Sequence, residues 1–176
     1  MKKILSIALL AIMFTGVMAQ GKKAPEDKNK RPSPPAKVTQ VLESGANVSF
    51  DYSQPAVKGR TIGKDLEPME GKVWRTGANE ATIFETDKDI SVEGKSLSAG
   101  KYGFFTIYNG GECTLIFNKT WSQWGAFKYA EADDVLRVKV PVGKQETMTE
   151  KFTITVDKAG KVSLFWGDTQ VNFNIK

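Results

Sequence analysis

The sequence predicts an all-β fold: an antiparallel β-sandwich of about nine strands, immunoglobulin-like or jelly-roll in topology. Three observations predict it. From Val48 onward, apolar residues recur with a period of two in short segments. Clusters of Gly, Asn, Asp and Pro punctuate those segments at turn-like intervals. No stretch carries a convincing amphipathic helical period.

The chain opens MKKILSIALLAIMFTGVMAQ, with two lysines, an apolar and small-residue run from Ile4 to Val17, and the small residues Val17 and Ala19. That order is expected of a secretory signal peptide over residues 1–19, cleaved after Ala19, which directs the protein to the periplasm or the exterior. The run is shorter than the about 20 apolar residues needed to span a bilayer, so no membrane span is expected. No Cys follows the cleavage position to take a lipid anchor. Removal of residues 1–19 takes Lys2 and Lys3, leaving 23 basic against 20 acidic residues and a net charge of +3 in place of +5. A balance so near neutrality is not the footprint of a nucleic-acid-binding protein.

Residues 20–37 place Lys22, Lys23, Lys28, Lys30, Arg31 and Lys37 among Pro25, Pro32, Pro34 and Pro35 without apolar periodicity. Such a segment buries too little to offset its ordering entropy and is expected to be a disordered, Pro/Lys-rich tether. Residues 38–176 then form one β-sandwich domain, long enough to bury a core without covalent staples.

Within that domain NVSFDY, ATIFE and ISV alternate as strands. GKYGFFTIY runs through the turn Asn109-Gly110-Gly111 into ECTLIFN, a hairpin signal because those residues accept positive φ. VLRVKVPV follows at 135–142, and FTITV, VSLFW and VNFNIK, separated by the turns DKAGK and GD, read as a three-stranded meander. Only KTWSQWGAFKYAEADD, residues 119–134, breaks the pattern and is expected to be a long loop or a helical turn. Cys113 stands alone in ECTLIF, a buried strand position in which cysteine acts as a small hydrophobe.

Chemistry is narrowed by what the chain lacks. It has no histidine, which removes imidazole triads and the usual zinc ligand. One cysteine excludes CxxC redox chemistry, and neither GxxxxGK[ST] nor GxGxxG occurs. No cofactor or metal is implied. Asp133 and Asp134 are adjacent and diverge on an extended backbone. Asp87 and Asp89 share a face but lack the glycine-punctuated loop of a calcium site, so a solvated turn is the better reading.

WRTGANEAT, residues 74–82, concentrates what remains. Trp74, Arg75, Asn79 and Glu80 crowd around Gly77, and Ala78, Ala81 and Ile83 imply partial burial of Glu80. A half-buried Glu80 is expected to pair with Arg75, Arg60 or Arg137, because the planar guanidinium matches a carboxylate with two hydrogen bonds. Either that pair closes one end of the sandwich, or the arginines form a pocket for an anionic ligand that Glu80 orients and Asn79 supplements. Trp74 and Trp166 are expected in the core. Trp121 and Trp124 lie in the irregular stretch, where an indole suits stacking on a sugar ring or a peptide.

The segments SFDYSQPAVKGRTIG, KVWRTGANEATIF, VEGKSLSAGKYGFFTIY and IFNKTWSQWGAFKYAEADDVLRVKV, in that order, resemble the exported bacterial family named domain of unknown function 2911, over about Val48 to Ile175. Phe127 stands in WGAF where that family often carries tyrosine, so no hydroxyl is offered there. The resemblance implies an exported β-rich domain and brings no catalytic residue with it. The reading is therefore a non-catalytic module binding a carbohydrate or anionic small molecule through Arg60, Trp74, Arg75, Asn79, Glu80, Trp124 and Arg137. The alternatives are a hydrolase or isomerase using Glu80 with a raised pKa, or a structural envelope protein that contacts partners through strand edges.

Overall fold

The computed structural model describes residues 26–176; the expected signal peptide and the first residues of the expected tether lie outside the described residues. The described chain is all-β, with ten strands: β1 Pro35–Val41, β2 Asn47–Ser53, β3 Val73–Trp74, β4 Thr82–Thr86, β5 Ile90–Val92, β6 Lys95–Leu97, β7 Gly100–Asn109, β8 Glu112–Asn118, β9 Asp134–Val156 and β10 Lys161–Asn174. Two single 3-10 turns, Lys28–Lys30 and Glu131–Asp133, are its helical content. No helix among the described residues is long and apolar enough to cross a membrane.

Every strand pairing is antiparallel. The main sheet runs β1-β2-β4-β7-β8-β9-β10, with β3 also on β7, and β5-β6 forms a separate small ribbon. The sheet curls so that its two halves face each other. The segment after β2 meets the middle of β9 through an Ala56–Lys151 bridge, with Val57 N–H donating to Glu150 at 2.9 Å and Phe152 N–H to Pro55 at 2.9 Å.

The hairpin at Asn109-Gly110-Gly111 forms as its sequence predicts: Asn109 pairs with Glu112, and Gly110 and Gly111 take φ of 59° and 85°. The C-terminal meander does not. VLRVKVPV and FTITV belong to one 23-residue strand, β9, which pairs with β8 through Pro141 and with β10 from Val142 onward. VSLFW and VNFNIK likewise belong to one strand, because Gly167-Asp168 is a bulge and not a turn. The register slips on either side of Gly167, and Gln145 Nε2 fills the freed carbonyls of Gly167 and Thr169, both at 2.9 Å.

The expected tether also ends earlier than its composition suggests. β1 begins at Pro35 and pairs with β2 from Pro35–Ser53 to Val41–Asn47. Pro35 tolerates this as the first residue of an edge strand, where its missing N–H costs no ladder bond, and Ala36 and Val38 pack against the core.

Alternation sorts the side chains between two apolar clusters. Phe50, Phe84, Phe104, Phe117 and Phe173 fill the interior with tilted and edge-on ring contacts, and Cys113 and Leu115 join them from β8. Trp74 and Trp166 are buried there, as expected, around Phe152, at centroid distances of 5.1 and 6.2 Å. On the outer face of β7 and β8, Phe105 and Ile116 form a second cluster with Ala81, roofed by Ala126 and Tyr129 from the irregular stretch. That stretch is a long loop ending in the 3-10 turn Glu131–Asp133, and it positions the site.

Candidate functional site

The site is built on an interruption in one sheet edge. β3 and β4 pair in line with the same edge of β7, Trp74 opposite Thr106 and Thr82 opposite Phe104. One residue of β7, Phe105, thus lies opposite seven, and these, Arg75 to Ala81, are extruded as a loop. Its shape is fixed by buried bonds: Trp74 Nε1–H donates to Gly77 O (3.0 Å), Thr82 Oγ1–H to Thr76 O, and the Thr76 and Thr106 hydroxyls share a hydrogen bond (3.0 Å). Thr76 and Asn79 hold positive φ of 53° and 59°, a conformation that surrounding bonds must enforce on residues with a Cβ. Only glycine fits at 77, since a Cβ there would lie 2.9 Å from Ser53 O. The far side of the loop zips onto the aromatic stretch, Ala81 N–H to Gln123 O (3.0 Å) and Gly125 N–H to Asn79 O (2.9 Å).

Between this loop, the segment after β2 and Trp124 lies a cleft of about 280 Å³. Arg60, Trp74, Arg75, Asn79 and Trp124, five of the expected site residues, line it, with Glu67 and Ser33 beside them. Arg75 is half-buried, and its Nε is, among the described residues, the one buried side-chain polar atom without a hydrogen-bond partner. Burial pulls the guanidinium below the ordinary arginine value, opposed by the nearby Glu67 carboxylate. Arg60 donates from Nε and Nη2 to the carbonyls of Val57 (3.2 Å) and Ala56 (2.8 Å). Glu67 is pinned twice, its carbonyl by Trp166 Nε1–H (2.8 Å) and its Oε2 by Met69 N–H (3.1 Å). None of the ion pairs among the described residues involves Arg60, Arg75 or Glu67.

Glu80 is not part of this arrangement, and its expected pairing with Arg60, Arg75 or Arg137 is not formed. It faces a second depression of about 190 Å³, where Lys28 Nζ reaches Oε1 and Arg31 Nη1 reaches Oε2, each at 2.8 Å. Partial burial by itself would raise the Glu80 pKa, but the hydrogen bonds from Lys28, its own backbone and Arg31 outweigh it and hold the carboxyl below its usual range. Arg31, whose side chain is only 10% exposed, also binds Glu26 through both terminal oxygens and lies 5.5 Å above the Trp124 ring. Asn79 Nδ2–H donates to Ser33 O at 2.9 Å. Residues 26–34 therefore form an arm docked along the rim of the cleft.

Arg137 lies away from the cleft, on the outer face of β9. It fastens the aromatic loop, with Nε on Asp134 (2.7 Å), Nη2 on the Tyr129 hydroxyl (2.7 Å) and Nη1 near Glu131 (3.2 Å). Desolvation and the bond to Asp134 push the Tyr129 phenol up to about 12. Asp87 and Asp89 cap backbone N–H groups of Asn47 and Ala99, both at 2.7 Å, and no group of residues able to hold a metal ion occurs among the described residues. Cys113 is buried beside Tyr108, and desolvation raises its thiol to about 12.

Sequence reasoning missed Arg31, Ser33 and Glu67. Arg31 and Ser33 sit in a stretch whose composition reads as solvated, and Glu67 in LEPMEG carries no periodic or motif signal. Fold and site together define an all-β domain with an arginine-lined cleft at an interrupted sheet edge. The chain belongs to the family described as protein of unknown function (DUF2911), whose sequence profile matches residues 33–175. No curated protein and no solved structure matches it.

Proposed function

We propose that this protein is an exported, non-catalytic binding module that takes a small anionic ligand, a carboxylate above all, in the cleft beside Arg75. The supporting observation is the Arg75 guanidinium, with a buried Nε that nothing among the described residues satisfies. Leaving such a donor unpaired costs about 1–3 kcal/mol. A planar carboxylate in the cleft would meet the guanidinium fork, and Arg60 adds a second positive charge to its lining. Trp124, 53% exposed, supplies a flat apolar side.

Carbohydrate is less well supported than an anion, since the Asn79 amide donor is committed to Ser33 O and Arg31 covers part of the Trp124 ring. A Glu80 acid or base is supported less still, because its role needs a raised pKa and its basic partners lower it.

Thermal shift against a panel of small carboxylates and neutral sugars tests the proposal. A carboxylate at about 100 times its Kd should stabilise the native chain by about 2.7 kcal/mol, a shift of several degrees. Arg75→Met should abolish that shift. Stabilisation by neutral sugars alone, or an undiminished carboxylate shift in Arg75→Met, would overturn the reading.

A further inference from the structure

The cleft leaves charges of both signs unpaired. Among the described residues, Arg60 and Arg75 form no ion pair with a carboxylate and Glu67 forms none with a cation, although all three line the same 280 Å³. In a flexible surface patch such groups would swing together. Here they are held apart by other bonds: the Glu67 backbone by Trp166, its carboxylate by Met69 N–H, and Arg60 by the carbonyls of Ala56 and Val57. The bond to Met69 occupies Oε2 and leaves Oε1 as an acceptor. Asn79, its Nδ2 taken by Ser33, keeps Oδ1 as a second acceptor lining the same cleft.

We infer that the ligand is a zwitterion of the free α-amino-acid class, its carboxylate on Arg75 and Arg60 and its ammonium on Glu67 and Asn79 Oδ1. This rests on the proposed anion-binding reading and narrows it. A plain carboxylate would satisfy the guanidiniums but be repelled by the Glu67 carboxylate near Arg75, whereas an amine beside the carboxylate turns that repulsion into an ion pair. The apolar lining from Pro55, Leu66 and Trp124 suits an uncharged side chain, and the cleft volume limits the ligand to about one residue.

The test compares matched probes by calorimetric titration on the full chain: leucine and phenylalanine, their analogues lacking the amine (4-methylpentanoate and 3-phenylpropanoate), and their carboxamides. The native protein should prefer each amino acid to its amine-free analogue by at least about tenfold and should bind the carboxamides weakly. Glu67→Gln should reduce that preference to near unity while keeping the amine-free acids bound, and Arg75→Met should lose both. Equal or tighter binding of the amine-free acids by the native chain overturns the inference and leaves the anion reading standing. Failure of amino acids and amine-free acids alike overturns both. The comparison on the native chain decides the matter even if a variant fails to fold.

Discussion

Arg75 sets stability against function within a single side chain. Its Nε is buried without a partner and its charge is partly desolvated, both unfavourable in the empty protein. Methionine has similar length and flexibility and no donor to strand. Arg75→Met should therefore leave the unliganded protein as stable as the native one or more so, by up to about 1–3 kcal/mol in a urea titration. A loss of more than about 1 kcal/mol would mean that the guanidinium serves the fold. That Arg75, Asn79 and Trp124 share one cleft was legible in the sequence, because Arg75 and Asn79 crowd one glycine inside a β-rich chain and Trp124 lies in its one irregular stretch. The partners of Glu80 were not legible. They come from Lys28 and Arg31, in a segment whose composition predicts no docking, and composition does not report that a half-exposed carboxylate elsewhere will capture a nearby guanidinium.

At the scale of the element, the arm and the aromatic loop are held differently. The loop is anchored by Asp134, whose side chain is nearly buried and accepts from Asn118, Tyr129 and Arg137, each at 2.7 Å. The arm is held by Glu80, whose side chain is 37% exposed, so its attachment is electrostatic and separable from the core. The folded pKa of Glu80 is depressed. Its contribution is thus present above the unfolded carboxylate value of about 4.3 and is lost as pH falls through the lower folded value. On acidification below that range the arm should release while the sheet stays folded, and Arg31 should leave the Trp124 ring. Tryptophan fluorescence, with Trp124→Phe as control, should show this transition ahead of global unfolding, and Glu80→Gln should show the released signal at neutral pH. A single transition common to fluorescence and far-UV circular dichroism would mean that the arm is part of the cooperative core.

At the scale of the molecule, the cleft lies where the curled sheet closes on itself, so its walls come from parts of the chain joined only by the fold. Pro55 and Arg60 belong to the segment that meets β9, Glu67 is pinned from β10 by Trp166, and Arg75 leaves the edge of β7. Alternation in the sequence revealed which residues face inward. It did not reveal that β9 runs unbroken between two partners, since a strand changing neighbours keeps the same period of two, and Gly167 reads as a turn until the bulge is seen. Phe152 lies under this junction, in contact with Tyr52, Trp74 and Trp166, the last two being the indoles that hold the carbonyls of Gly77 and Glu67. Phe117 is equally buried but packs on Phe84, Tyr102 and Phe104, none of which lines the cleft. Alanine at either position should cost about 3–5 kcal/mol. Measured on the folded fraction below its melting temperature, Phe117→Ala should bind the ligand with near-native affinity and Phe152→Ala at least about tenfold more weakly, because only the latter loosens the indoles that position the cleft. Equal losses of affinity would show that the site follows global stability and not this junction, and native affinity in both would show that the cleft is positioned without Phe152.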